Sequence, residues 1–426
     1  MNKLLIKNGY VVSKDSVVDI LIENGKIKEI GPKMMCDNCE VIDASGLYVL
    51  PGLVDMHCHL REPGQEYKED IASGTRSAAL GGFTSIACMP NTSPTIDNQT
   101  VAEFVINRAK EVGVTNVYPI GSISKGLKGE ELSEIGELKS AGCVAISDDG
   151  KPVQSSILMK NALVYSSMFD ILVISHCEDL TLVDEGVMNE GYMSTILGLK
   201  GIPSASEDIM VARDILLSEY TGVRIHIAHV STETSVQLIR EAKARGVRVT
   251  CETCPHYFSL TEEACDNFNT QAKMNPPLRT QKDVDAVIEG LSDGTIDVIA
   301  TDHAPHHPDE KRCEFSLANF GIVGFETAFS LAYDRLVATG KLTIGSLVEK
   351  MCETPAKLLR IDAGEIDSGK SADLCIVDPE MTRTVDISKF ASKSKNSPFD
   401  GASLKGAVIH TIVGGKVIVK NMNIVE

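Results

Sequence analysis

A chain of 426 residues with 43% hydrophobic side chains has ample material for a large buried core. Its formal net charge of −18 argues against nucleic acid or an anionic membrane as partner, and an anionic ligand would have to be drawn in by local positive charge. No apolar run is long enough to span a bilayer, and the opening MNKLLIKNGY lacks the features of an export signal, so the expected compartment is the reducing cytoplasm.

The first fifty or so residues read as short strands. LLIKNGYVV carries Asn8-Gly9 and DILIENGKIKEIG carries Asn24-Gly25, and each pair predicts a two-residue hairpin turn. The middle of the chain changes character. Eight apolar runs follow one another: LPGLVDMHCH, FTSIACMP, TNVYPIGSI, CVAISDDG, ILVISHCED, RIHIAHVS, VRVTCETCPHY and IDVIATDHAP. Helical patterns such as TVAEFVINRAKEVG and TETSVQLIREAKARG separate them. Strands covered on both faces need such continuous apolar runs, and eight strand–helix units over about 300 residues match a (β/α)8 TIM barrel. The last seventy or so residues return to short strands, SADLCIVD, KGAVIHTIV and KVIVK, with Gly414-Gly415 as a further turn. The fold expected is α/β, with a barrel over residues 53–355 and a small β-sandwich built from 1–52 plus 356–426.

The 12 cysteines read as free thiols in a reducing compartment. The pairs Cys36/Cys39 and Cys251/Cys254 lie roughly two hundred residues apart, against about fifteen to twenty in a paired zinc site, and are read as non-ligating. Cys36 is expected in a surface loop and Cys251 inside a buried strand.

Polar residues fall at the C-terminal ends of the predicted strands, the face that carries the active site in this barrel. They are His57 and His59 on strand 1, Asp148 and Asp149 on strand 4, His176 on strand 5, His229 on strand 6 and Asp302 on strand 8. Strand side chains alternate, so His57 and His59 face inward together and Cys58 faces out. Any one of these histidines alone is more often a satisfied core residue than a ligand. Four histidines and two aspartates at matching strand ends point to metal. Six ligands exceed the needs of one catalytic zinc, whereas two ions about 3.5–4 Å apart, sharing a carboxylate and a hydroxide, fit better. Alternation leaves open which of Asp148 and Asp149 faces the site. The stretch from Asp302 to Gly321 is read as too polar to be buried and as an active-site lid. His226 and His256 are expected to be structural, and His410 exposed.

At these residues the sequence resembles the amidohydrolase superfamily, and within it the class I dihydroorotases. The resemblance is carried by HLREPG, CMPNT, ISDDGKPV, ISHCED, HIAHVST, KMNPPLRT, IATDHAPH and FGIVGFETA, and it covers essentially the whole chain. It implies interconversion of N-carbamoyl-L-aspartate and (S)-dihydroorotate in pyrimidine synthesis. It implies that His57, His59 and Asp302 hold one Zn²⁺, that His176 and His229 hold another, and that Asp149 and a hydroxide bridge them. Relatives that bridge with a carbamylated lysine would need a lysine at the end of strand 4; Lys151 follows Gly150 and is read as a loop residue. The resemblance further implies that Arg61, Asn91 and His306 grip the substrate carboxylate, that Asn275 with the backbone of Phe320 and Gly321 contacts the ring, and that the enzyme is a homodimer. Asp302 is the expected acid/base. Arginine suits the carboxylate because its guanidinium offers two parallel donors.

Two other readings compete. Hydantoinases, dihydropyrimidinases and allantoinases share the D-x-H-x-H pattern, but Arg61 and the missing lysine speak against them. A scaffold that only assembles with aspartate transcarbamoylase would have lost ligands. Every ligand is present here, although such an association can coexist with catalysis.

Overall fold

A computed structural model describes residues 3–425; Met1, Asn2 and Glu426, which belong to the expected sandwich unit and the N-terminal stretch read for an export signal, lie outside the described residues. All eight expected barrel strands form: β1 (Leu53–Cys58), β2 (Phe83–Cys88), β3 (Asn116–Gly121), β4 (Ala145–Ser147), β5 (Leu172–Ser175), β6 (Ile225–Ile227), β7 (Val249–Thr253) and β8 (Val298–Ile299). They pair in parallel, each with the next in chain order. A helix follows each strand: α1 (Ile71–Leu80), α2 (Gln99–Val112), α3 (Ile135–Ala141), α4 (Ser156–Ser167), α5 (Ala205–Thr221), α6 (Glu233–Ala244), α7 (Gln281–Asp293) and α8 (Phe325–Ala332). Side-chain caps fix several helix starts: Asp70, Asn98, Ser155 and Thr232 each accept from a backbone N–H in the first turn.

The strands are buried on both faces, which explains their unbroken apolar composition. Outward residues such as Cys58, Ile86, Val173 and Ile227 join the helices in one core. Inward residues form a second cluster of Met56, Ala87, Ile120, Ala145, Ile174, Ala228 and Val298, joined by Leu359 from the helix Thr354–Leu359. Several alanines let the opposing strands approach, so the barrel interior below the mouth is filled.

Closure between β8 and β1 is made by few contacts. Cys58 and His303 form a single parallel bridge, and the His59 N–H donates to the His303 carbonyl at 2.9 Å. Buried Asp55 accepts from the Thr301 N–H at 2.9 Å and from the Thr301 hydroxyl at 2.5 Å.

Both chain ends build the second unit. Its sheet runs in the order Asn423–Ile424, Lys416–Lys420, Ser403–Val413, Leu374–Thr384, Tyr48–Pro51, Lys3–Val11, Ser16–Glu23 and Lys26–Gly31, with Glu40–Asp43 beside Lys3–Val11. N- and C-terminal strands meet where Tyr48–Pro51 pairs antiparallel with Leu374–Thr384. Ile6, Ile20, Ile22, Leu374 and Ile412 share its core. The turns at Asn24-Gly25 and Gly414-Gly415 form as expected and press together. A Cβ on Gly25 would lie 2.9 Å from the Gly414 carbonyl oxygen, and φ at Gly25 is +79°. We propose divisions near 52/53 and 355/356 as the unit boundaries, with the helix Thr354–Leu359 spanning the second and packing Leu359 into the barrel.

Two expectations are corrected. Asn8-Gly9 is no hairpin turn. It lies inside the strand Lys3–Val11 as a register shift between Ile6 and Gly9, because the Asn8 N–H is held by the Asp19 carboxylate at 2.8 Å and pairing resumes beyond it. His410 is buried, since it sits in the long strand Ser403–Val413, which runs between two others and against the barrel.

Thr301→Val keeps shape but removes a donor to a buried carboxylate. It should lower stability by about 1–3 kcal/mol, read by urea denaturation; an unchanged midpoint would mean that this bond does not support closure.

Candidate metal centre and substrate pocket

Strand ends bring the six expected ligands together. Asp149 stands in the middle: Oδ1 lies 3.4 Å from His57 Nε2, from His176 Nδ1 and from His229 Nε2, and Oδ2 lies 3.5 Å from His59 Nε2. Asp302 Oδ1 is 3.0 Å from His59 Nε2 and 3.6 Å from His57 Nε2. Two overlapping groups have ligand atoms within 4.8 Å of one another, His57–His59–Asp149 and Asp149–His176–His229. Asp149 belongs to both. Asp148 is turned away, accepting from the Ile123 and Ser124 N–H groups at 2.8 and 3.0 Å and from the Ser124 hydroxyl. That contact resolves the choice that alternation left open.

The cluster has the character of a cation site. His57 Nε2 is buried and has no hydrogen-bond partner among the described residues. His176 Nδ1 and His229 Nε2 approach to 2.7 Å, two nitrogen atoms aimed at the same space. Burial opposes charge on His57, but Asp149, Glu252 and Asp302 outweigh it and hold the ring well above the ordinary imidazole range. Burial likewise opposes charge on His176, and Asp149 with Glu178 raises it to about 10. Asp149 is held well below the ordinary carboxylate range: burial works against ionisation, and His57, His176 and His229 override it. Buried carboxylates here demand positive charge, and a divalent ion bound by neutral imidazoles supplies it. Imidazole nitrogen with carboxylate oxygen is a donor set for Zn²⁺ and its neighbours in the first transition row.

A further layer of side chains orients these ligands; the sequence reading missed Glu252 and Glu178 and named Asn91 only as a substrate contact. Glu252 on β7 meets His57 Nδ1 at 2.5 Å and His226 Nε2 at 3.3 Å. Asn91 Oδ1 meets His59 Nδ1 at 2.9 Å, and Glu178 meets His176 Nε2 at 3.4 Å. Each contact fixes which ring nitrogen faces the centre, Nε2 for His57 and His59 and Nδ1 for His176. Glu252 could have been noticed as an acid in the strand VTCET, and Glu178 as one following His176, but nothing in sequence shows which histidine an acid will meet. His226 is structural as expected, bonded to Thr250 and Glu252. Cys254 and His256 lie beside Asp302, with ligand atoms within 4.8 Å of it.

Two of the expected ligands and Arg61 hold left-handed backbone, with φ of 33° at His229, 44° at Asp302 and 62° at Arg61. Strain at three non-glycine residues around one centre marks a site that its surroundings over-determine.

Above the ligands opens a cavity of about 460 Å³. All six residues expected to bind substrate border it: Arg61, Asn91, Asn275, His306, Phe320 and Gly321. Arg61 is buried, with Nε donating to the Pro305 carbonyl at 3.2 Å and Nη2 lying 3.3 Å from His306 Nε2. It forms no ion pair with a carboxylate among the described residues. The Asn275 Oδ1 atom is buried and has no hydrogen-bond partner among the described residues. The Gly321 N–H is engaged by the Lys273 carbonyl at 2.9 Å, while the Phe320 backbone N–H and C=O are unengaged among the described residues.

The segment from Asp302 to Gly321 corrects the expectation that it is too polar to be buried. His303, His306, Lys311, Phe315 and Ala318 are all buried. Several of its polar groups are satisfied within the fold: Lys311 Nζ donates to the carbonyls of Lys273, Asn319 and Gly321, and the Gly324 N–H reaches His303 Nδ1.

A family model described as Dihydro-orotase-like matches residues 46–235. The chain is 67% identical over 421 residues to a dihydroorotase of Acetivibrio thermocellus, covering 98% of this chain and 99% of that one. It is 60% identical over 422 residues to a dihydroorotase of Geobacter metallireducens, with the same coverage. Among solved structures it is similar to the L-hydantoinase (dihydropyrimidinase) of Arthrobacter aurescens, with a TM-score of 0.91, 27% identity, and coverage of 100% and 98% of the two chains.

Glu252→Gln keeps the hydrogen-bond geometry but removes the charge behind His57. Metal affinity should fall by roughly 10- to 100-fold, read by competition with a chromophoric chelator. Unchanged affinity would remove Glu252 from the support of the centre.

Proposed function

We propose that this chain, which belongs to the dihydroorotase family, opens and closes its ring at two Zn²⁺ ions held by His57, His59 and Asp302 and by His176 and His229, with Asp149 between them. The chain is a cyclic amidohydrolase that interconverts N-carbamoyl-L-aspartate and (S)-dihydroorotate in pyrimidine synthesis. The observation that carries the substrate assignment is Arg61, a buried guanidinium at the edge of the ligand cluster with no carboxylate partner among the described residues. An unpaired buried charge is costly, and a substrate carboxylate neutralises it through two parallel hydrogen bonds.

Zinc held by these residues would lower the pKa of water to about 7 and would polarise the ring carbonyl. The remaining work falls to side chains. Arg61 Nε is fixed by Pro305, which orients the guanidinium plane toward His306 and the cavity. Asn91 has its Oδ1 engaged by His59, which leaves Nδ2 for the same carboxylate. Asn275 and the free backbone groups of Phe320 border the ring. Asp302, held in the ionised form by His57 and His59 against the effect of burial, accepts the proton of the attacking water. It returns that proton to the ring nitrogen as the C–N bond breaks. Ring closure runs the same transfers backwards. The segment from Asp302 to Gly321 serves as the cover that limits water at the centre.

A homodimer is supported by two exposed apolar stripes. Ile157 and Val164 on α4 with Met168 at its C-terminal cap form one, and Ile209, Leu216 and Tyr220 run at the same spacing along its neighbour α5. A cytoplasmic location is supported by the cysteines, all twelve of which are free and most buried.

Arg61→Met should raise KM for dihydroorotate by roughly 10- to 100-fold, the worth of a charged hydrogen-bond pair, with metal content intact. In the same assays Asp302→Asn should depress kcat. Metal analysis of these preparations identifies the ion and its stoichiometry. Unchanged KM in the first variant, or near-normal turnover in a metal-replete second, overturns the corresponding role. Light scattering should give a dimer mass for the native protein and a monomer mass for Leu216→Glu. A native monomer removes the interface, and a run with added aspartate transcarbamoylase reads the second association that the resemblance raises.

A further inference from the structure

Between the strands Leu374–Thr384 and Ser403–Val413 the chain leaves the sandwich sheet, crosses to the barrel mouth and returns. The excursion is tied down along its length. The Ala391 N–H donates to Glu326 at 2.7 Å, the Ser392 hydroxyl and the Lys393 N–H donate to Glu69, and the Ser394 hydroxyl donates to the Lys68 carbonyl at 2.7 Å.

At its tip Asn396 is buried, with every hydrogen-bonding group of its carboxamide engaged. Oδ1 accepts from the His306 N–H at 3.0 Å, and Nδ2 donates to the carbonyls of Ala304 at 2.9 Å and Gly321 at 3.0 Å. Its backbone carbonyl accepts from the Val323 N–H at 2.9 Å. One side chain thus joins the two arms of the 302–321 segment, one carrying His306 and the other ending in Phe320 and Gly321. The arms meet closely: a Cβ on Gly321 would lie 2.7 Å from the Ala304 carbonyl oxygen and 2.8 Å from the His306 ring, and φ there is +148°.

We propose that Asn396 is a positioning residue for substrate recognition, setting the distance between the carboxylate-gripping arm at His306 and the ring-bordering arm at Phe320–Gly321. The inference rests on the reading that these residues bind the substrate. Asn396 borders neither the cavity nor the metal ligands, so its influence runs through backbone placement. The C-terminal unit thereby completes the binding site of the barrel. A shift of about 1 Å in a binding group can cost on the order of 100-fold in rate, so the loss of this tie should be visible in kinetics with the metals in place.

The test compares Asn396→Ala, His306→Ala, the double variant and Phe399→Leu by steady-state kinetics, metal analysis and thermal melting. Phe399 packs with Leu331, Val385 and Leu404 in the same excursion, away from the mouth, and controls for general loosening. Asn396→Ala is expected to raise KM for dihydroorotate about 10-fold or more with kcat changed less and metal retained, while Phe399→Leu leaves KM within about 2-fold of native. The double variant should lose less than the product of the two single losses, because Asn396 acts in part through His306. If Asn396→Ala does not fold, Asn396→Ser is read in the same cycle. An unchanged KM in the Asn396 variant, an equal rise in Phe399→Leu, or additive losses in the double variant overturns the proposal. An unchanged KM in His306→Ala marks instead the failure of the binding reading itself, and the inference falls with it.

Discussion

Two carboxylates and four imidazoles crowd the mouth of a barrel whose inner apolar cluster is Met, Ala, Ile, Leu and Val. Asp149 touches all four rings, and such a cluster, dry on its barrel side, is stable only with positive charge at its centre. The surroundings follow from that demand. Glu252, Glu178 and Asn91 turn the rings so that the required nitrogen faces inward, and left-handed backbone at His229 and Asp302 places side chains where regular strands could not. Barrel closure draws on the same region, since Asp55 ties β1 to Thr301, the residue before Asp302.

Selectivity lies one layer further out. The fold is shared almost completely with an L-hydantoinase at 27% identity, so the barrel and sandwich alone do not choose the substrate. Arg61 does, in our reading, because it leaves a buried cation waiting for an anion beside the centre. Of the other cations that border the cavity, Lys68 is paired with Glu310 at 3.0 Å and Lys151 is exposed to solvent, whereas Arg61 is buried.

The sandwich is more than an appendage. It grows from both ends of the chain, and its C-terminal half sends the 385–402 excursion to the mouth, where Glu69, Glu326 and the 302–321 segment receive it. A polar segment can be buried there because its own groups and this excursion satisfy one another. Lys311 alone covers three carbonyls.

Local pattern made the barrel legible in sequence. Eight apolar runs became eight strands in order, and the period of two in His57-x-His59 put both rings on one side with Cys58 turned into the outer core. The convergence of these six side chains was legible because residues at strand ends meet in this fold whatever the loops do. Pattern could not tell Asp148 from Asp149, which differ only in their partners, Ser124 for one and four imidazoles for the other. Nor could it find Glu252 behind His57 or Asn396 behind His306, pairs that stand far apart in the chain. It misplaced His410 and the 302–321 segment as exposed, since polarity in sequence says nothing about a partner waiting across the fold. Residue type and period are local and survive in a string of letters. Which buried polar group satisfies which is decided only when the chain closes on itself.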